Sequence, residues 1–159
     1  MSLDLKKPLT KDGQARLASE HHDLAFVRRP QIVEGIARAA AEGDRSENAE
    51  YIYGKKLLRE VDKRLRYLHK LLDGAQIIDP KRLSGDRVAF GSTVTILDED
   101  GNERRLKIVG EGESDFGGEQ ISWKAPMAKA LFGKRIGDVV TVKRPKGELE
   151  VEIMALEFI

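Results

Sequence analysis

Two periodicities divide this chain. Up to about residue 78, apolar residues recur at steps of three and four; beyond it they come in short alternating runs broken by Gly and Asp. The clearest run is Tyr51, Gly54, Leu58, Val61, Leu65, Leu68, Leu72 and Ala75, an a/d pattern in which Gly54 and Ala75 are the weak members. A helix with one apolar stripe needs a partner. The upstream chain offers one in two pieces: Leu17, Leu24 and Val27, then Ile32, Ile36 and Ala39 shifted by a residue. Pro30 lies at the break, where it removes an amide donor, so the pieces are one kinked helix or two helices in register with different parts of the partner. Thr10 suits an N-cap and Gly43 the position after a helix end. Asp44 can cap the second helix, with Glu47 completing a capping box and Ser46 competing for the role. The pattern predicts an antiparallel coiled-coil hairpin over residues 1–78 with its turn near 43–50. Each arm would be on the order of 45–50 Å long. A rod of that length exceeds any core it could bury, and such a rod is built to reach something.

The second half predicts a small, mostly antiparallel β domain over 79–159, giving an α+β chain. Strands are expected at 92–97, 104–109, 119–123, 139–143 and 149–158, with one short helix opened by Pro126 and closed by Gly133. The junction at 76–85, with its Pro and Gly, reads as a linker.

Composition narrows the function classes. Of 159 residues, 35 % are charged, yet the net charge is only +1. Residues 1–78 hold 15 Lys/Arg against 12 Asp/Glu, a balance of +3; residues 79–159 hold 13 against 15, a balance of −2. There is no cysteine, which removes disulfides and thiolate metal sites. The first residues lack the apolar run of a signal peptide, and no window is apolar enough for a membrane helix, so a cytoplasmic protein without a membrane partner is expected. Three histidines, His21, His22 and His69, do not make a metal cluster. A monomer is expected, because the hairpin satisfies its own stripe.

Candidate chemistry gathers at the turn. Asp44, Glu47 and Glu50, with Asn48 beside them, fall at spacings of three. Carboxylates and an amide oxygen are hard donors suited to Mg²⁺, and a partly liganded ion keeps waters that can become nucleophiles. The same acids also serve any helix start, where they meet free amides. Seven cations follow within sixteen residues: Lys55, Lys56, Arg59, Lys63, Arg64, Arg66 and Lys70. They could line nucleic-acid phosphates or form the solvated face of a coiled coil. Tyr53 lies off the apolar stripe and could stack on a base, whereas Tyr51 falls on it. Trp123 suits either an interface or the β core. Dinucleotide, Walker and nucleophile-elbow patterns are missing.

The turn segment GDRSENAEY at 43–51 resembles the Gre family of bacterial transcript-cleavage factors, and with YIYGKKLLREVDKRLRYL at 51–68 its GreB type. PLTKDG near the start, AQIID at 75–79, FGSTV at 90–94, IVGEGESD at 108–115, APMAKALFGKRIGD at 125–138 and ALEF at 155–158 extend the likeness over nearly the whole chain. The resemblance implies a coiled-coil hairpin followed by an FKBP-like domain. That domain would dock at the rim of the RNA polymerase secondary channel while the hairpin enters it. The tip would then meet the extruded 3′ end of nascent RNA in a backtracked complex and stimulate internal cleavage by the polymerase's own centre. The protein would thus be a cofactor protein and not a stand-alone enzyme. By the same resemblance Asp44 and Glu47 are the catalytic carboxylates, holding Mg²⁺ jointly with the polymerase. Arg45, Ser46, Asn48 and Glu50 would be tip auxiliaries; Tyr53, Lys55, Lys56, Arg59, Lys63, Arg64 and Arg66 would contact RNA.

Three features depart from the family pattern: His21 and His22 at an apolar helix position, Ala125 where a serine usually precedes Pro126, and the loop Phe116-Gly-Gly-Glu. The alternatives are a non-catalytic channel binder that inhibits polymerase and, more remotely, a coiled-coil adaptor outside transcription.

Overall fold

The structure, a computed structural model, describes residues 5–42, 48–114 and 119–159. The chain falls into two compact units, Ala15–Asp73 and the remainder, Met1–Gln14 with Gly74–Ile159.

The helical unit is an antiparallel pair. Its first arm runs from α1 (Lys11–Asp23) through a π-helical turn (Leu24–Arg28) into α2 (Arg29–Ala41); its second arm is α3 (Ala49–Leu72). The apolar stripe faces the partner as its spacing predicts: Val61 and Leu68 of α3 are buried, as are Leu17, Ile32 and Ala39 of the first arm; near the end of α3, however, Leu71 is buried and the predicted Leu72 only half-buried. The π turn resolves the one-residue shift between the two upstream stripes. It carries one residue more than an α turn, closed by the Arg29 N–H donating to the Leu24 carbonyl, so Leu17 and Ile32 face the same partner. Pro30, which has no N–H to give an α-helical bond, opens α2 next to it. Val27 corrects the sequence reading. It sits inside the wide turn, is rotated off the stripe and is 47 % exposed.

The β unit holds a five-stranded mixed sheet in the order β5-β4-β3-β7-β6. The strands are β3 (Thr93–Asp98), β4 (Glu103–Val109), β5 (Gln120–Ser122), β6 (Val139–Arg144) and β7 (Gly147–Glu157). Neighbours run antiparallel except β4 and β5, which are parallel. Alternation sets the buried face: Val94 and Ile96, Leu106 and Ile108, Val140 and Val142, Val151 and Ile153. Ala128 and Leu131 of α4 (Pro126–Leu131) complete that core with Phe90 and Val88.

The junction is more than a linker. Gln76–Ile78 forms β2 and pairs in parallel with β1 (Pro8–Thr10). Thr10 caps α1 as its sequence suggests, its Oγ1 accepting from Gly13 N–H at 3.1 Å. Glu113, only 2 % exposed, holds this corner together. Its Oε2 accepts from Thr10 N–H at 2.9 Å and Gly110 N–H at 2.7 Å, and its Oε1 from the Thr10 hydroxyl.

Candidate functional site

The start of α3 organises the turn. Asn48, not Asp44 or Ser46, is the N-cap: its Oδ1 accepts from Tyr51 N–H at 3.2 Å. The helix therefore begins four residues later than an Asp44 cap requires. Its Nδ2 donates to the Ala39 carbonyl at 2.7 Å, so the same side chain grips both arms. Glu50 stands exposed in the first turn of α3, where its charge meets the positive helix end. Asp44, Arg45, Ser46 and Glu47 lie outside the described residues.

Beyond the turn, the cations sort by helical position. Lys56, Arg59, Lys63, Arg66 and Lys70 follow one another at steps of four and three along α3, and all are exposed. At 1.5 Å per residue this lane is about 21 Å long. Val61 and Leu68 lie on the opposite side of the same helix, buried against the first arm. Lys56, Arg59, Lys63 and Lys70 enter no ion pair among the described residues. Lys55 flanks the lane with its ammonium 5.9 Å from the Tyr51 ring centre. Tyr53 is 61 % exposed near its upper end, while Tyr51 is half-buried.

Arg64 is placed differently. Its guanidinium grips both Glu20 oxygens, at 2.6 and 3.0 Å, and covers the Tyr67 ring. The hydrogen bond from Arg64 holds the Glu20 carboxyl below the usual carboxylate range, chiefly by stabilising its charged form. Arg29 does the same to Asp62 through a 2.7 Å bond. These two pairs cross between the arms, and neither was anticipated from the sequence. The heptad register held the signal, since Asp62 and Arg64 flank the a/d positions where interhelical ion pairs form.

Among the described residues, no three His, Asp or Glu side chains gather as a metal site. No helix among them is long and apolar enough to cross a membrane. Trp123 packs partly buried against the β core. A cavity of about 830 Å³ opens beside Leu83, Phe90, Phe132 and Phe158, with Asp86 and Arg87 its charged lining residues.

Two family models match the chain. Residues 7–77 match that of the transcription elongation factor N-terminal domain, and residues 83–158 that of the GreA/GreB C-terminal domain. Transcription elongation factor GreB of Pseudomonas aeruginosa is 47 % identical over 94 % of this chain and 89 % of its own. Transcription elongation factor GreA of Legionella pneumophila is 45 % identical over 97 % of this chain and 98 % of its own. The crystal structure of GreA factor homolog 1 (Gfh1) of Thermus thermophilus shares 26 % identity over 94 % of this chain and 97 % of that one, with a TM-score of 0.44.

Proposed function

The chain belongs to the GreA/GreB family of transcription elongation factors, and from that membership we propose that it binds RNA polymerase and stimulates cleavage of nascent RNA in backtracked complexes. One observation supports this reading best. A single helix, α3, follows the acidic segment 42–47 and carries a 15-residue lane of exposed cations, Lys56 to Lys70, on the side away from its partner. An extruded RNA 3′ end is a flexible polyanion, and the lane offers it successive phosphate contacts leading to the turn. Tyr53 adds an exposed ring beside the path. Arg64, engaged with Glu20, steadies the hairpin and leaves contact with RNA to the outer cations.

The chemistry assigned to the turn is hydrolysis of an internal phosphodiester. Water oxygen bonds to phosphorus and the bond to the 3′ oxygen breaks. The 3′ oxygen leaves as the hydroxyl of the retained RNA, and the released fragment keeps the phosphate. Asp44 and Glu47 would orient the attacking water and take up its proton. They are hard oxygen donors that fit Mg²⁺, but two carboxylates fill too few positions for a site of their own. The described residues supply no further cluster, so the polymerase would complete the shell. Mg²⁺, when bound, makes water more acidic and neutralises developing charge.

The test uses labelled RNA in a stalled, backtracked polymerase complex. The wild-type protein should release 3′ fragments quickly. The Asp44→Asn/Glu47→Gln variant should still bind polymerase and fail to do so. Undiminished cleavage by that variant would remove the carboxylate mechanism. Binding without cleavage by the wild-type protein would reassign the function to channel occupancy and inhibition.

A further inference from the structure

We propose that Ile52 and Tyr53 form a nucleobase platform at the upper end of the cation lane, where they take the face of an unpaired base from the same RNA strand whose phosphates the lane holds. The inference rests on the function proposed above and adds to it a contact with bases. The steps of four and three that run through Lys70, Arg66, Lys63, Arg59 and Lys56 reach Ile52 next, four residues before Lys56. Ile52 therefore stands on the lane itself, in the place of its next cation, and Tyr53 stands beside it near the start of α3. Ile52 is 54 % exposed and Tyr53 61 %.

The helix itself does not ask for either side chain. A β-branched apolar residue at an outward position gains little from burial, and lysine is the better helix former there. Ile52 is the fourth residue after the Asn48 cap, a position where an apolar side chain often packs against another just before the cap, but the sequence has Glu47 there. Tyr67 is the other large apolar residue exposed on α3, and its ring is covered by the Arg64 guanidinium at 5.4 Å. Among the described residues, no cation covers the Tyr53 ring. The adjoining charge decides what fits the pair. A nucleic-acid strand carries phosphates and apolar base faces on one flexible chain, and so matches both the exposed cations and the two side chains that continue their line. In a duplex the base faces are already stacked, so an unpaired strand is the form that offers one. Because every base has a π-face, the pair would tell unpaired RNA from paired RNA with little regard to sequence.

The test measures binding of the free protein to a single-stranded oligoribonucleotide of about eight nucleotides, and to an abasic strand with the same number of phosphates, by fluorescence anisotropy across a salt series. Wild type, Ile52→Ala/Tyr53→Ala and Arg59→Gln are compared. Alanine is a strong helix former and both replaced side chains are exposed, so the double variant should keep the wild-type circular dichroism. Losing one stacked base weakens binding about five- to 150-fold, so the double variant should bind the ordinary strand at least about fivefold more weakly than wild type does. Wild type should bind the abasic strand as weakly as the double variant binds either strand. The salt slope of the double variant should equal that of wild type, since no phosphate contact is lost. Arg59→Gln should weaken both strands alike and flatten the slope by about 0.7. Four results would overturn the platform: no salt-dependent binding of the ordinary strand by wild type, an unchanged affinity in the double variant, a loss of the same size on both strands, or a slope flattened as in Arg59→Gln. If the double variant keeps its affinity for RNA and loses affinity for polymerase, the pair meets protein instead, and the platform is overturned as well. Cleavage in a backtracked complex separates the platform from its parent reading. Wild type that prefers the ordinary strand to the abasic one and releases no 3′ fragments keeps the platform and overturns the cleavage reading; wild type that cleaves and binds both strands equally overturns the platform alone.

Discussion

At Gly54 the two arms pack too tightly for a Cβ, and the effect of replacing it with alanine should reverse sign with the residue opposite. A Cβ added at Gly54 would lie 2.8 Å from Ile36 Cγ1 and 3.6 Å from its Cδ1. Carbon atoms sit best at about 3.5–4.0 Å, so the first contact overlaps by roughly an ångström. Ile36 cannot turn aside cheaply, because a β-branched side chain on a helix has one strongly preferred χ1. The arms must part or bend instead, at the usual overpacking cost of about 1–3 kcal/mol. Against this, Gly→Ala in a helix interior gains about 1 kcal/mol. The net expectation for Gly54→Ala is a loss of about 1 kcal/mol. In an Ile36→Ala background the obstacle is gone and the same change should gain about 1 kcal/mol. The coupling is therefore about 2 kcal/mol, well above the few tenths by which independent sites fail to add. Urea unfolding followed by far-ultraviolet circular dichroism, which reports the helices, measures all four corners of the cycle. If Gly54→Ala stabilises the protein with Ile36 present, or has the same sign in both backgrounds, the close approach does not govern this crossing.

Three further outcomes follow from the packing. Glu113→Gln should cost about 1–3 kcal/mol: three buried donors converge on the carboxylate, and an amide would turn a donor toward one of them; a melting temperature unchanged from wild type would refute this. Ala125 caps α4 without a side-chain hydrogen bond, so Ala125→Ser should stabilise the β unit by about 0.5–1 kcal/mol in thermal unfolding, and a loss would show that the hydroxyl finds no amide there. Glu20 and Asp62 have carboxyls lowered by their arginines, so their contribution is complete above the ordinary carboxylate range and is lost as pH falls through the lowered folded values. A Glu20→Gln/Asp62→Asn variant should therefore lose less stability on acidification than wild type; parallel curves below about pH 4 would contradict it.

What could be read in advance was what repeats locally. The a/d run from Tyr51 to Leu72 and the alternation Val94–Ile96, Leu106–Ile108 and Val140–Val142 each state which face is buried, and the structure buries those faces. The slip between Leu24 and Ile32 was visible too, but not its form. Carrying an α period through it put Val27 on the stripe, and a π turn takes it off. What was missed is non-local. A three-residue strand has too little alternation to show itself, and β1 and β2 meet across 68 residues of sequence. The sequence reading offered Asp44 and Ser46 as the helix cap and passed over Asn48. Asn48 is the cap, and it also reaches the Ala39 carbonyl, a partner nine residues back on the other arm. The roles of Asp44 and Glu47 came from family likeness and not from geometry, since acids at a helix start have a purely structural use as well.

The heptad frame also tells apart two kinds of charge that composition merges. With Leu58 and Leu65 at a, Asp62 falls at e and Arg64 at g, and both are used across the arms, by Arg29 and Glu20. Lys56, Arg59, Lys63, Arg66 and Lys70 fall at the outer b and f positions. Hairpin stability asks nothing of those positions except that they be polar. A chain with 28 basic and 27 acidic residues could have mixed signs there, and mixing would have favoured the helix through i,i+4 pairs. Instead every step along the lane sets like charges three or four apart, which disfavours the helix that carries them. A local rule broken repeatedly, on the exposed side of an otherwise consistent element, points to a demand other than hairpin stability. A single-sign lane of cations calls for a linear polyanion, and the RNA proposed to enter along α3 is one.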